Sequence, residues 1–410
     1  MEQIDLFTPS KTQHFIEREY TTEHRPISLL NQDTSIEFDF TLSENEMIKF
    51  NDTYLFIKFK LHSTAPSNNA SDTIGETIPA NYLLNSMFRQ VTILANGVPI
   101  TEGMPNFMYK AFLEAKLGYS THAKASHLKG AFWYEDPVEG RKMLRAGENL
   151  EMMGRLHLDL THQQRALPGP VHLQFRLDLN NPKFLFQTDR QDLKMEIIDL
   201  NLMVQRLVLS PKSIEGIKQK HQRNEMVIPL SSSYCRAIPI AKGTLDISLE
   251  DVCRGKMPKA IYLGLVDNAA YNGSFTSDPF AFKHYHVNFI AAYIDGAQFP
   301  SIAYQPNFEK RQCMREFIGL ARAIRQNDTD SFAQVSFKQF VNSPIFGISL
   351  QPDLDENDGN NTLINPTKEG ILRIQLRFAE TLAQSITAIV LMDFDSEIRI
   401  DPDGNFAFKR

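Results

Sequence analysis

One stretch of this 410-residue chain occurs twice, and a tandem copy restricts the fold to a unit that can be built once and then repeated. Residues 91–100 read Val-Thr-Ile-Leu-Ala-Asn-Gly-Val-Pro-Ile and lead to Pro105-Asn106-Phe107. Residues 290–300 read Ile-Ala-Ala-Tyr-Ile-Asp-Gly-Ala-Gln-Phe-Pro and lead to Pro306-Asn307-Phe308. Asn96-Gly97 maps onto Asp295-Gly296 at an offset of 199, and the Pro-Asn-Phe triplets lie 201 apart. Gly118 and Gly319 keep the offset of 201, as do the runs 172–177 and 373–378. Several anchors in one order at nearly one offset predict two homologous domains in tandem.

Each copy predicts a strand, a tight turn and a return. Asn-Gly and Asp-Gly suit a type I′ turn, whose two central residues both need positive φ. A helix is expected after each hairpin, with Met108, Ala111, Phe112 and Ala115 on one face in the first copy. Phe317, Leu320, Ala321 and Ile324 hold the same spacing in the second. Elsewhere the alternation is that of strands: Ile36, Phe38 and Phe40 on one face, and Leu173, Phe175 and Leu177 on another. Arg155–Leu160 alternates as well and reads as a further strand. About eight strands per half, with few helices, predict an all-β protein of two tandem jelly-roll sandwiches carrying short helices in their loops.

The expected boundaries are an arm over 1–30, a first jelly roll over 31–210, a linker over 211–230 and a second jelly roll over 231–410. Residues 64–80, 121–150 and 267–284 read as long loops, the middle one broken by Gly130, Pro137, Gly140 and Gly147. Phe is abundant, at 29 residues against one Trp, so Phe-filled cores are expected. Cys235, Cys253 and Cys313 form no CxxC pair, which argues for reduced thiols and synthesis inside a cell. The first residues lack the basic and apolar regions of a signal peptide, and no apolar run of membrane-spanning length is present. The net charge is −6, and the first 25 residues balance to −2, so no nucleic-acid arm is expected.

Chemistry is sparse. Asp353, Asp355 and Asn357 open like a calcium loop, but Asp358 stands where glycine belongs and Ile364 where the distal Glu belongs. Asp401-Pro402-Asp403-Gly404-Asn405 reads as a terminal turn. His284 and His286 share a face if their segment is extended, without a third ligand at a recognisable spacing; His122 and His127 are off the helical metal spacing. No GxSxG, HExxH, P-loop or GxGxxG pattern occurs. No catalytic residue, metal or cofactor is therefore expected.

The residues 81–88, Asn-Tyr-Leu-Leu-Asn-Ser-Met-Phe, with Leu94-Ala95-Asn96-Gly97, resemble the double jelly-roll major capsid proteins of polintons (Mavericks), the virus-like DNA transposons of animals, and of adintoviruses. Gly264–Asn268, Tyr271–Ser274, Asp278–Phe280, Phe282–His284 and Leu376–Glu380 carry the likeness in the second half. It spans about residues 30–400 and is most specific over Ile261–Pro306. The resemblance implies a homotrimeric capsomer of pseudo-hexagonal outline, packed beside other capsomers and penton or minor capsid proteins, in an icosahedral virion shell around double-stranded DNA. It implies no catalysis and no sequence-specific nucleic-acid contact. Tyr271, Phe275, Phe280, Phe282 and Tyr285 are the expected subunit-contact loop, since apolar patches are rarely left exposed, and Asn96, Gly97, Asp295 and Gly296 are the expected structural turns. The rival expectation is a two-domain jelly-roll glycan-binding protein or glycoamidase-like hydrolase.

Overall fold

The structure, a computed structural model, describes residues 13–28, 35–63, 76–101, 103–145, 148–190, 192–324, 334–351 and 368–409. Asp353–Asn361, and with it the calcium-like opening, lies outside them, as does most of the loop over 64–80.

Each half of the chain builds a sandwich of two antiparallel sheets. In the first, Ile16–His24, Leu193–Leu209, Glu46–Ser63 and Asn149–Gly154 lie side by side in that order, facing a sheet ordered Ile36–Leu42, Val171–Leu179, Phe88–Ala95, Val98–Pro99. In the second, the orders are Met226–Ile240, Ile386–Ile400, Ala260–Asp267, Ile345–Ser349 and Asp246–Lys256, Glu369–Phe378, Val287–Ile294, Ala297–Tyr304. Numbered along each half, both sandwiches read 1-8-3-6 over 2-7-4-5, the jelly-roll order. Inward side chains alternate with outward ones along each strand, as a one-face-buried sheet requires. Phe38, Phe59, Phe88 and Phe175 fill the first core, and Phe340, Phe346, Phe378 and Phe394 the second.

Three segments differ from the sequence reading. The stretch read as an arm contains Ile16–His24, the first strand, which pairs along Leu193–Leu209. Its alternation is masked because both faces carry polar residues. Arg206 pins it: the guanidinium donates to Thr22 Oγ1 at 3.1 Å and pairs with Glu46 at 3.0 Å, while Tyr20 also donates to Glu46. The stretch read as a linker contains the helix Pro211–His221 and the start of Met226–Ile240. Arg155–Leu160 is not a strand, because the preceding strand stops at Gly154 and Asp159–His162 coils into a 3-10 turn.

Both hairpin turns have the left-handed backbone a type I′ turn demands: φ is 49° and 80° at Asn96 and Gly97, and 48° and 88° at Asp295 and Gly296. The first residue of each turn also caps a neighbouring strand. His172 N–H donates to Asn96 Oδ1 at 2.9 Å, and Ile371 N–H donates to Asp295 Oδ1 at 3.1 Å. Asn and Asp serve here because they tolerate positive φ and carry an acceptor on a short stem.

The helices after the hairpins are Phe107–Gly118, here the seam helix, and Met314–Ile324, here the outer helix. Gly118 and Gly319 are not structural equivalents, despite their offset. A tight turn bridging Asn307 and Gln312 delays the outer helix, so Gly118 ends one helix while Gly319 lies inside the other.

Candidate functional site: the seam and the outer helix

The seam helix is apolar over most of its surface, and the second jelly roll covers what the first does not. Tyr109 is fully buried; its ring packs against Phe184, Tyr271 and Phe280 at centroid distances of 5.8, 5.8 and 5.5 Å. Its hydroxyl donates to the Pro279 carbonyl at 3.0 Å. One turn on, Phe112 stacks on Phe280 at 4.1 Å, between Phe280 and Trp133. At the helix start, Asn106 Nδ2 donates to the Cys235 carbonyl at 3.3 Å, and Tyr271 donates to Asn106 Oδ1 at 2.9 Å.

This packing relocates part of the expected subunit-contact loop. Phe280 and Phe282 are buried within the chain, so neither leaves an apolar patch for a neighbour to cover. Phe282 lies against Gly264, where a Cβ would come within 2.4 Å of its ring; that close approach is why glycine suits the position. Tyr271, Phe275 and Tyr285 are half-buried, and the Phe275 carbonyl accepts from Thr188 N–H at 2.8 Å. The loop is an internal clasp of the second jelly roll on the first. His284 and His286 lie in a turn rather than an extended segment, with Tyr285 and His286 at positive φ; His284 stacks on Phe308 at 4.8 Å. Asp401 accepts from Asn405 N–H at 2.8 Å, which commits its carboxylate to the terminal turn.

Beside the aromatic seam is a charged cleft of about 510 Å³. Its first wall carries Glu114, Arg155, His157 and His162; its second carries Ser231, Ser233, Tyr262 and Asp393. Lys110, buried on the seam helix, reaches Asp159 at 2.7 Å and Glu114 at 3.5 Å, and Ser233 N–H donates to the same Asp159 oxygen at 3.3 Å. Desolvation opposes the charge on Lys110, but the two carboxylates outweigh it and raise its pKa. Desolvation pushes Asp393 up to about 6. His162 is open to solvent at the cleft mouth, yet the surrounding walls and His157 beside it still lower its pKa. Glu114 Oε2 lies 2.7 Å from His157 Nε2. Linear reading missed this group because Glu114 comes from a helix, His157 from an irregular segment and His162 from the 3-10 turn after it, with no motif spacing between them.

The outer helix differs. Its inner face is buried through Phe317, Leu320, Ala321 and Ala323. Its outer face shows Met314 at 53% and Ile318 at 39% exposure, beside Ile302 of the preceding strand at 66%. Together with Pro300, Arg315 and Arg322 they line a groove of about 550 Å³.

No protein-family model matches the chain. The uncharacterized protein F54H12.2 of Caenorhabditis elegans is 25% identical over 337 residues, 79% of this chain and 80% of that protein. Among solved structures, PBCV-1 VP54, fitted into a reconstruction of the virophage Sputnik, superposes with a TM-score of 0.64 at 8% identity, covering 98% of both chains. The Sputnik virophage structure at 3.5 Å gives 0.62 at 11% identity, over 100% of this chain and 92% of that one. The Faustovirus major capsid protein gives 0.57 at 10% identity, over 100% and 94%. At such identities the likeness speaks to architecture, and on architecture it agrees with the strand order: the chain has the double jelly-roll fold.

Proposed function

We propose that this chain is a non-enzymatic major capsid protein of the polinton or adintovirus type, which trimerises into pseudo-hexameric capsomers and builds an icosahedral virion shell around double-stranded DNA. The observation that carries the reading is the uncovered outer helix. Both helices occupy the same place in the jelly-roll order; one is covered by a jelly roll of the same chain, the other presents Ile302, Met314 and Ile318 to solvent. A second copy supplies the missing cover if its first jelly roll sits against that groove. Repeating one such head-to-tail contact closes a ring, and three chains give six similar wedges. The double jelly-roll fold of the Sputnik, Faustovirus and mavirus capsid proteins supports the same reading. Neighbouring capsomers and a penton or minor capsid protein are the further partners. Among the described residues no helix is long and apolar enough to cross a membrane.

Light scattering of the purified chain tests this. Three chains of 46.8 kDa give 140.4 kDa, with contacts that bury roughly 2,000–5,000 Å². Ile302→Asp with Ile318→Asp is expected to leave a folded monomer. A wild-type monomer at micromolar concentration with a sugar-specific binding signal overturns the reading in favour of a glycan-binding protein.

A further inference from the structure

We infer that Glu114, His157 and His162 form a binding site for one zinc-class divalent cation on the first-domain wall of the cleft. One ligand atom from each residue falls in a cluster whose members all lie within 4.8 Å of one another. The two imidazole rings are 4.5 Å apart between centroids, and Glu114 Oε2 already lies 2.7 Å from His157 Nε2. A tetrahedral ion with bonds of about 2.0–2.2 Å separates its ligands by about 3.4 Å. The group therefore reaches coordination geometry by side-chain movements of about 1.4 Å or less. His162 is exposed on the side away from its ring contacts with His157 and Tyr119, which leaves it room to adjust.

A second observation points to a ligand at the same place. Glu114 Oε1 is buried and accepts no hydrogen bond; its compensation is the ion pair with the Lys110 ammonium at 3.5 Å. A buried carboxylate oxygen that is ion-paired but accepts no hydrogen bond keeps unused acceptor capacity, and a cation on the carboxylate takes it up. Lys110 does not lose its own compensation, since Asp159 holds it at 2.7 Å. Two imidazoles and one carboxylate select zinc or its transition-metal neighbours over magnesium and calcium, which prefer oxygen ligands throughout. The fourth position opens on the cleft and is left to water. Bound there, the ion ties the seam helix to the segment 155–162, the two pieces that together hold the Lys110–Asp159–Ser233 contact across the domains. This goes beyond the capsid reading and does not depend on it.

The test uses the full chain freed of metal by EDTA and titrated with zinc chloride in a calorimeter. One saturable site per chain is expected, and cobalt chloride should give the visible absorption of tetrahedral cobalt. Removing a ligand should weaken binding more than about tenfold, since even outer-shell changes cost that much. His162→Ala, at an exposed position, tests this with the fold intact, and Glu114→Gln tests the carboxylate. His284→Ala, which alters the other close histidine pair, should bind zinc as wild type does. Absence of saturable binding, undiminished binding in His162→Ala, or equal loss in His284→Ala overturns the inference. Oligomeric state, read separately by light scattering, distinguishes failure here from failure of the capsid reading.

Discussion

The two jelly rolls share a strand order and differ in what lies over the helix after the first hairpin. On the seam helix, Tyr109, Phe112 and Leu113 are all buried, and the aromatic clasp of the second domain completes the packing. The outer helix keeps an apolar inner face and an uncovered outer one. The same element, in the same place, is thus core in one copy and surface in the other. Duplication within the chain covers one of the two helices and leaves the outer face of the other open.

The sharpest way to break this comparison is to alter both helices. Phe112→Ala and Phe280→Ala remove stacked rings at the seam, and each should cost about 3–5 kcal/mol in denaturant unfolding. Met314→Lys should change monomer stability by no more than about 0.5 kcal/mol while abolishing the proposed trimer. If Met314→Lys destabilises the isolated chain as much as Phe112→Ala does, the outer face is not free surface.

The turns sharpen the comparison from the other side, because here the copies should behave alike. A Cβ on Gly97 or Gly296 meets no atom within 4 Å, so only backbone conformation opposes substitution. Gly97→Val and Gly296→Val should each lose on the order of 1–3 kcal/mol through strain at positive φ. Thermal melts of the two variants should agree; a large difference would mean the turns carry unequal loads.

A smaller effect concerns the first sheet alone. Desolvation of Glu46 works to raise its pKa, but hydrogen bonds from Tyr20 and Ser43 N–H and the Arg206 charge outweigh it, and the folded value is lowered. Its contribution is therefore fully present above the ordinary carboxylate pKa of about 4.3 and is lost as pH falls through the lowered folded value. Glu46→Gln should flatten that part of the acid-unfolding curve, and an unchanged curve would count against the pairing. The smallest expected effect is on DNA: at net charge −6, the isolated chain should show only weak duplex binding. A steep salt dependence in a filter-binding assay would contradict this.

Much of the fold was legible because jelly-roll strands repeat with period two and the turns need particular residues. Ile36–Phe40 and Leu173–Leu177 show the first, Asn96-Gly97 and Asp295-Gly296 the second. Ile16–His24 escaped notice because an edge strand with polar residues on both faces has no hydrophobic period to read. The aromatic loop was visible, but its destination was not: Phe280 looks the same in sequence whether it meets Phe112 of its own chain or a neighbour's surface. The Glu114–His157–His162 cluster was invisible for a related reason. It exists only once the seam helix lies beside the 155–162 segment, and no local spacing encodes that contact.

The strand order has a consequence for synthesis. Leu193–Leu209 lies between Ile16–His24 and Glu46–Ser63, so among the described strands Ile16–His24 has no paired neighbour until the last strand of its sandwich has been made. The second sandwich repeats the arrangement, with Ile386–Ile400 inserted beside Met226–Ile240. At ribosomal rates of about 5–20 residues per second, the first sheet waits on the order of ten seconds or more with its edges unpaired. Contacts so distant along the chain fold slowly, and a chain cut short before residue 193 lacks the strand that joins Ile16–His24 to Glu46–Ser63. The same wait recurs for the second sandwich, so the interval of unpaired strand edges comes twice in one synthesis.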